Sequence, residues 1–162
     1  MMLRARATLG PPAVCLLLLA LSVSCGRASR NGPRPLRPAA TLEVCAASPT
    51  NSPGSRAATD PGTGAPVYLT QPPIVSTADV ASVSQSSGNS GFPSLAVKLT
   101  PAGGLKMTAA TTPASGQQVA IVANGKVIGV MNVRSPIGDA FVIEGGAFQR
   151  DHEAIFRALT GE

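Results

Sequence analysis

The side chains in this sequence that could do chemistry are few and widely separated. His152 is the single histidine, and it stands between Asp151 and Glu153. Adjacent residues of a helix do not share a face, so these two carboxylates flank His152 without converging on it. A zinc site takes three or more protein ligands in a fixed geometry, which one histidine with diverging neighbours does not supply. We therefore expect a solvated helix face here, with no metal site and no cofactor.

Other reactive groups also lack the partners that catalysis requires. Asp139 and Glu144 are separated by an odd number of positions, which puts them on opposite faces of a strand. Serines are abundant, but none lies in the Gly-x-Ser-x-Gly motif of serine hydrolases. The glycine pairs at 103–104 and 145–146 do not belong to a Gly-x-x-x-x-Gly-Lys phosphate-binding loop. The sequence therefore predicts a protein that is not an enzyme.

Composition and charge argue against a nucleic-acid-binding protein. The chain has 162 residues, of which 13% are charged and 3% aromatic, and its formal net charge is +5. The positive excess lies in the N-terminal part, because residues 65–162 contain six basic and six acidic side chains. A nucleic-acid-binding domain concentrates Lys and Arg on its folded part. We expect no nucleic-acid partner.

The N-terminus has the pattern of an export signal. Arg4 and Arg6 precede an apolar run from Ala13 to Val23, which ends in small residues. A helix needs about 20 apolar residues to span the hydrocarbon core of a bilayer, and this run is shorter. A positive start, a short apolar centre and a small-residue exit are typical of a secretory signal peptide. We predict a signal peptide over residues 1–24 and an exported protein.

The end of this signal indicates a lipid anchor. Leu21-Ser22-Val23-Ser24-Cys25 resembles the lipobox of bacterial lipoproteins, in which a Cys after small residues is acylated and becomes the new N-terminus. Ser22 departs from that pattern, since Leu is usual at its position. We predict acylation of Cys25 and attachment to the cell membrane, facing the periplasm or the cell exterior. The alternative is ordinary cleavage near Ser24 or Ala28.

The segment that follows has the composition of a tether. It is rich in Pro, Ser, Gly, Ala, Thr and Arg and lacks a sustained strand or helix period, apart from a short apolar patch at Leu42-Glu43-Val44-Cys45. Such chains bury too little apolar surface to offset backbone ordering, which costs about 1–2 kcal/mol per residue. We predict a disordered tether over residues 25–64. It contains Cys45, which has no thiol partner if Cys25 is acylated; a disulfide between the two is the alternative.

From Ala65 the pattern changes to that of a small folded domain, residues 65–162. Alternating apolar runs predict strands, and capping residues predict helix ends. Thr100 suits an N-cap before Pro101, and Gly161 suits the C-terminal cap of the last helix. The predicted elements are a strand at 67–69, a turn at 76–80, a strand at 95–99, a helix at 101–111, a hairpin at 119–133, a strand at 140–144 and a helix at 149–159.

The hairpin is the best-defined part of this prediction. Asn124-Gly125 favours a two-residue type I′ turn, because both central residues of that turn need a positive φ. In the simplest register Ala123 faces Lys126, Ile121 faces Ile128, and Val119 faces Val130. One face then carries the residues at 119, 121, 128 and 130, and the other those at 120, 122, 127, 129, 131 and 133. Since both faces are largely apolar, both must be covered or one must be a contact surface.

The order of the elements and residues within them resemble the head of the first extracytoplasmic domain of SecD, a subunit of the bacterial protein-export translocon. The resemblance covers residues 67–162. It is carried by Pro73–Val80, Leu99-Thr100-Pro101, Gly103, Lys106, Thr111, Gly116, Val119–Val122, Asn124–Ile128, Pro136-Ile137, Ile143, Gly145-Gly146, Phe148 and Glu153-Ala154. The chain departs from the SecD pattern at Met107, Val130-Met131 and Gln149.

This resemblance implies an α+β fold, with a small, mostly antiparallel sheet and two packed helices. It also implies contact with unfolded secretory chains, so exported polypeptides or translocon components are the expected partners. We expect Val130, Met131 and Val133 to contact them, by strand addition or apolar packing. Two other classes stay open. One is a structural envelope lipoprotein without a dedicated ligand, and the other is an enzyme or small-molecule binder whose fold gathers His152 with distant carboxylates.

Overall fold

The computed structural model describes residues 32–87, 91–112 and 117–161, so the predicted signal peptide and Cys25 lie outside the described residues. Eight strands and two helices follow in chain order, with a single 3-10 turn at Thr77–Asp79. They are β1 Leu42–Ser48, β2 Arg56–Thr59, β3 Pro66–Leu69, β4 Val80–Ser87, β5 Pro93–Leu99, α1 Pro101–Thr111, β6 Gln118–Ala123, β7 Lys126–Asn132, β8 Ala140–Glu144 and α2 Gly146–Thr160. In the described part of the chain, neither helix is long and apolar enough to cross a membrane.

The strands form two antiparallel sheets instead of the single sheet expected from the sequence. One has the order β2-β3-β1-β6-β7 and the other the order β4-β5-β8. The main core contains residues of both sheets and both helices, and a second apolar cluster contains residues of the five-stranded sheet alone. The α+β class, the antiparallel pairing and the two helices are confirmed.

Strand β1 corrects the prediction of a tether over residues 25–64. β1 pairs with β6 over six consecutive positions, from Leu42 opposite Ala123 to Ala47 opposite Gln118. The fold begins still earlier, because the backbone of Arg34 makes an antiparallel bridge with Val83. The side chains of this segment are mostly small, and only a few of them are strongly apolar. Local composition therefore does not reveal that pairing with β6, far away in the sequence, buries Leu42 and Val44. The tether prediction is wrong for this strand and for β2.

Strand β7 has a bulge that alters the predicted hairpin register. Ala123 is opposite Lys126, as predicted, but Ile121 is opposite Gly129 instead of Ile128. Ile128 is therefore the extra residue of the bulged strand, and every later side chain changes face. Val130 consequently packs with the second cluster, whereas Met131 and Val133 belong to the main core.

Helix α1 lies close to two neighbouring segments because of its paired glycines. Thr100 accepts a hydrogen bond from Gly103 N at 3.1 Å, which confirms the predicted N-cap. A Cβ at Gly103 would lie 2.7 Å from the carbonyl oxygen of Asp79, and a Cβ at Gly104 would lie 2.8 Å from Cβ of Asp139. By helix propensity alone, Gly103 and Gly104 would only destabilise α1. Here they have no Cβ, which lets the helix backbone pack closely against Asp79 and Asp139.

Asp79 connects this helix to the 3-10 turn. Its Oδ2 accepts hydrogen bonds from Ser76 N and Ser76 Oγ, at 3.0 and 2.9 Å. Lys106 Nζ lies 2.8 Å from Oδ1, and the side chain of Asp79 is only 9% exposed, against 54% for Lys106. The hydrogen bond from Lys106 and that from the Ser76 N–H hold the pKa of Asp79 below its usual value, against the effect of burial.

We predict that Gly103→Ala destabilises the fold despite the better helix propensity of Ala. The new Cβ meets backbone of Asp79, and such overpacking costs about 1–3 kcal/mol, whereas the propensity gain is about 1 kcal/mol. Urea unfolding measures the difference. Gly138→Ala is the matched control, because no atom lies within 4 Å of a Cβ built there. Equal stability of the two variants would contradict the close-packing argument.

We also predict that Asp79→Asn lowers stability at neutral pH more than at acidic pH. The pKa of Asp79 is depressed in the folded state, so its stabilisation is present above the unfolded pKa and lost as the pH falls through the folded value. The neutral-pH loss should be about 1–2 kcal/mol, given that Lys106 is half exposed. Urea unfolding near pH 7 and pH 3 tests this.

Asp139→Asn serves as the control for that experiment. The Lys98–Asp139 pair has side chains that are both more than half exposed, so water screens it and its effect should be smaller. A pH-independent loss in Asp79→Asn would show that its charge does not contribute.

Candidate functional site

The candidate site is a groove between the tip of the β6–β7 hairpin and helix α2, hereafter the hairpin–helix groove. Its volume is about 330 Å³, at the small end of the range for ligand pockets, and its surface is mainly apolar. The hairpin contributes Ala123, Asn124, Lys126 and Ile128, and the helix contributes Ala147, Asp151, Ala154, Ile155 and Ala158.

The hairpin wall is held by the tight turn that the sequence predicts. Asn124 and Gly125 have φ values of 48° and 79°, as a type I′ turn requires. Asn124 N donates to the carbonyl oxygen of Thr41 at 2.9 Å, and Thr41 N donates to Asn124 Oδ1 at 2.9 Å. These two hydrogen bonds connect the turn to Thr41, the residue before β1. The hairpin wall is therefore positioned by part of the segment 25–64 that the sequence predicted to be a disordered tether.

The helix wall is concave because small side chains lie on one face of α2. Ala147, Ala154 and Ala158 recur at spacings of seven and four residues. Helix α2 is kinked at Asp151, where φ is −118° and ψ is 23°, and all three alanines line the groove. Phe148, Phe156 and Leu159 are buried in the main core. Ile155 is half-buried against the same core.

The groove has one cationic and one anionic side chain among its lining residues, Lys126 and Asp151. Both are exposed. An apolar surface with charges of both signs suits a polypeptide segment, whose side chains are mixed, better than a ligand of a single charge. The alanine spacing was the one sequence signal that could have located this groove.

His152 lies on another part of α2. Its Nδ1 is buried without a hydrogen-bond partner among the described residues, and its ring centroid is 6.3 Å from that of Phe148. The cavity beside it, of about 300 Å³, is lined by residues of α2 alone. In the described part of the chain, no three His, Cys, Asp or Glu side chains are grouped so as to hold a metal ion. Among the residues that the structure describes, no carboxylate from outside α2 lines this cavity.

The three predicted contact residues do not form one surface. Val133 is only 2% exposed and lies in the main core, so the prediction that it contacts a partner is wrong. Val130 and Met131 are half-buried and belong to opposite faces of β7. None of the three lines the hairpin–helix groove. Adjacent residues of a strand point to opposite faces, so Val130 and Met131 are separated in either register, and the bulge at Ile128 decides which face each of them takes.

Cys45 lies in β1 and not in a disordered tail. Its side chain is a fully buried free thiol, packed in the second apolar cluster with Val67 and Leu69. Burial, with a smaller effect of Glu43, raises the pKa of this thiol. Burial as a small apolar residue accounts for Cys45 without a disulfide.

Comparison with known protein families places the fold. Residues 55–157 match the family described as SecDF, P1 head subdomain. The chain belongs to this family. The matched residues begin after β1. A search of curated proteins found no match.

Solved SecDF structures share this fold. One, titled "Structure and function of a membrane component SecDF that enhances protein export", is 22% identical with a TM-score of 0.53, over 80% of this chain and 64% of that one. Another, "Crystal structure of SecDF in Super-membrane-facing form", is 21% identical with a TM-score of 0.55, over 75% of this chain and 19% of that one. The chain therefore spans less than two thirds of either. The SecD resemblance is confirmed for the head.

Proposed function

We propose that this protein is an exported lipoprotein whose head binds polypeptide segments in or near protein export and catalyses no reaction. The observation that carries the proposal is the family match of residues 55–157. SecDF is described as a membrane component that enhances protein export, and the P1 head is the part that this chain shares with it. The shared part supports a binding role in the same process.

The hairpin–helix groove is the binding surface that we favour for apolar side chains of a partner. It is large enough for a bulky side chain, and its alanine-rich helix wall leaves backbone accessible to close approach. Its two walls are held by the Asn124 turn and by the core face of α2, so the groove is formed before a partner arrives. Preformed grooves lose less conformational entropy on binding.

Attachment through Cys25 would keep this head at the membrane surface. Lys and Arg near an anionic leaflet each add about 1 kcal/mol of attraction, and Arg27 and Arg30 follow Cys25 closely. Since the fold begins by Arg34, the linker between anchor and head is much shorter than the segment 25–64. We infer that the head stays near the lipid surface and does not reach far from it.

We predict that a photo-crosslinking residue in place of Lys126 captures exported polypeptides in cells. Lys126 is exposed at the rim of the groove, so the probe reaches an occupant without disturbing the core. Adducts are identified by mass spectrometry. The same probe in place of Leu105, which is 74% exposed on α1, is the control.

A groove-filling substitution, Ala154→Leu, should reduce the adducts at position 126 while leaving expression unchanged. Absence of exported polypeptides at position 126, or equal capture at both positions, would contradict the proposal. A structural envelope lipoprotein without a ligand would give that result.

We further predict that the membrane-extracted protein has the mass of a chain beginning at an acylated Cys25. Intact-mass spectrometry measures cleavage and acylation together. Cys25→Ser should abolish the lipid mass and shift the protein from the membrane fraction to the soluble fraction. An unmodified chain beginning after Ser24 or Ala28 would show ordinary signal cleavage and would overturn the anchor, whereas the crosslinking result would still decide the binding role.

A further inference from the structure

The three-stranded sheet has one face in the main core and one face turned away from it. Leu95 and Val97 of β5 are buried in the main core, together with residues of α2. Side chains of a strand alternate between its two faces, so Ala96 lies on the opposite face with its cross-strand neighbours Ser84 and Val142. This second face, hereafter the outer face, therefore looks away from α2 and from the hairpin–helix groove.

The outer face contains a mainly apolar trough of about 350 Å³. Small side chains line it together with Val142, which is 48% exposed. Phe92, the residue before β5, is 52% exposed at the end of the same sheet. Among the described residues, the third large apolar side chain that is exposed is Leu105, which lies on α1. Exposed apolar side chains that share one small sheet indicate a contact surface.

The N-terminal part of the chain enters the fold at this trough. Pro33 is one of the lining residues, and the backbone of Arg34 pairs with Val83 at the edge of β4. Cys25 precedes Pro33 by eight residues. Eight residues span at most about 29 Å when fully extended. An acyl group on Cys25 therefore brings a lipid surface within reach of the outer face.

The residues between Cys25 and Pro33 are poorly suited to cover the outer face themselves. Residues 26–32 have the sequence Gly-Arg-Ala-Ser-Arg-Asn-Gly, which contains no large apolar side chain. Packing them on Val142 would bury little apolar surface of their own. Among the described residues that line the trough, Lys98 is the charged one, and its ammonium group is paired with Asp139. The trough therefore suits an apolar occupant better than a charged one.

We propose that the outer face lies against the lipid surface, with Val142 and Phe92 at the boundary between headgroups and acyl chains. This assignment rests on the proposed function, since it requires the lipid anchor at Cys25, and it adds which side of the head meets the membrane. Apolar side chains at that boundary add to the affinity that an acyl chain supplies. The hairpin–helix groove then faces the aqueous phase, where a polypeptide can reach it.

The test uses the mature chain extracted from membranes and reconstituted into phospholipid vesicles, with and without bromine atoms on the acyl chains. The sequence has no Trp, so one substitution introduces a single tryptophan fluorophore. We expect the emission of Val142→Trp to shift to the blue on reconstitution and to be quenched in the brominated vesicles.

Leu105→Trp is the matched control. Leu105 is 74% exposed on α1, whose Met107 is buried in the main core and not on the outer face. Its emission should be the same in both kinds of vesicle. Phe92→Trp is a second reporter, which keeps an aromatic ring at an exposed position and should be quenched as Val142→Trp is. Thermal unfolding checks that each variant folds, and Phe92→Trp decides the result if Val142→Trp does not.

Flotation of the vesicles separates this assignment from the anchor. Protein that does not float with the vesicles would overturn the anchor at Cys25 and this orientation with it, whereas crosslinking at position 126 would still decide the binding role. Protein that floats, with no quenching at positions 142 and 92 or with equal quenching at 142 and 105, would leave the anchor standing and overturn the outer face. A blue shift at position 142 that grows with protein concentration in detergent would identify a second copy on this face and also overturn it.

Discussion

The rest of the structure depends on the backbone pairing between β1 and β6. The β6–β7 hairpin is apolar on both faces, and a hairpin alone cannot bury both. By adding a strand along all of β6, β1 brings in β3 and β2 and makes a five-stranded sheet with two covered faces. One face of this sheet then packs into the main core together with both helices. On the other face, Cys45, Val67 and Leu69 are buried in the second apolar cluster. Without this pairing, the second face would remain exposed.

Two local irregularities adapt the regular elements to each other. Because Ile128 is an extra residue in β7, the side chains that follow it point to the opposite face from the one predicted, and Val133 is buried in the main core. Ile128 itself lines the hairpin–helix groove. The glycines of α1 let the helix backbone approach Asp79 and Asp139. The carboxylate of Asp79 accepts hydrogen bonds from Ser76 and Lys106, and its backbone carbonyl oxygen accepts one from Thr100 N. These features fix where β7, α1 and the 3-10 turn lie relative to each other.

The described residues include an apolar groove between the hairpin and α2, and they include no group of three His, Cys, Asp or Glu side chains placed to hold a metal ion. The cavity beside His152 is lined by residues of its own helix, whereas the hairpin–helix groove is lined by residues of the hairpin and of α2.

What the sequence determined by itself was mostly local. The Asn124-Gly125 turn, the Thr100 cap and the Gly161 cap depend on residue types at adjacent positions, and the ordered set of such signals was enough to indicate the SecD head. Tertiary structure alone decided the role of β1, because its small residues become a buried strand only when β6 lies beside them. It also decided which side chains of β7 are exposed, since nothing local marks Ile128 as a bulge and one extra residue reverses every later position. The groove likewise arises from elements distant in the chain, the β6–β7 hairpin and α2, which long-range packing brings together.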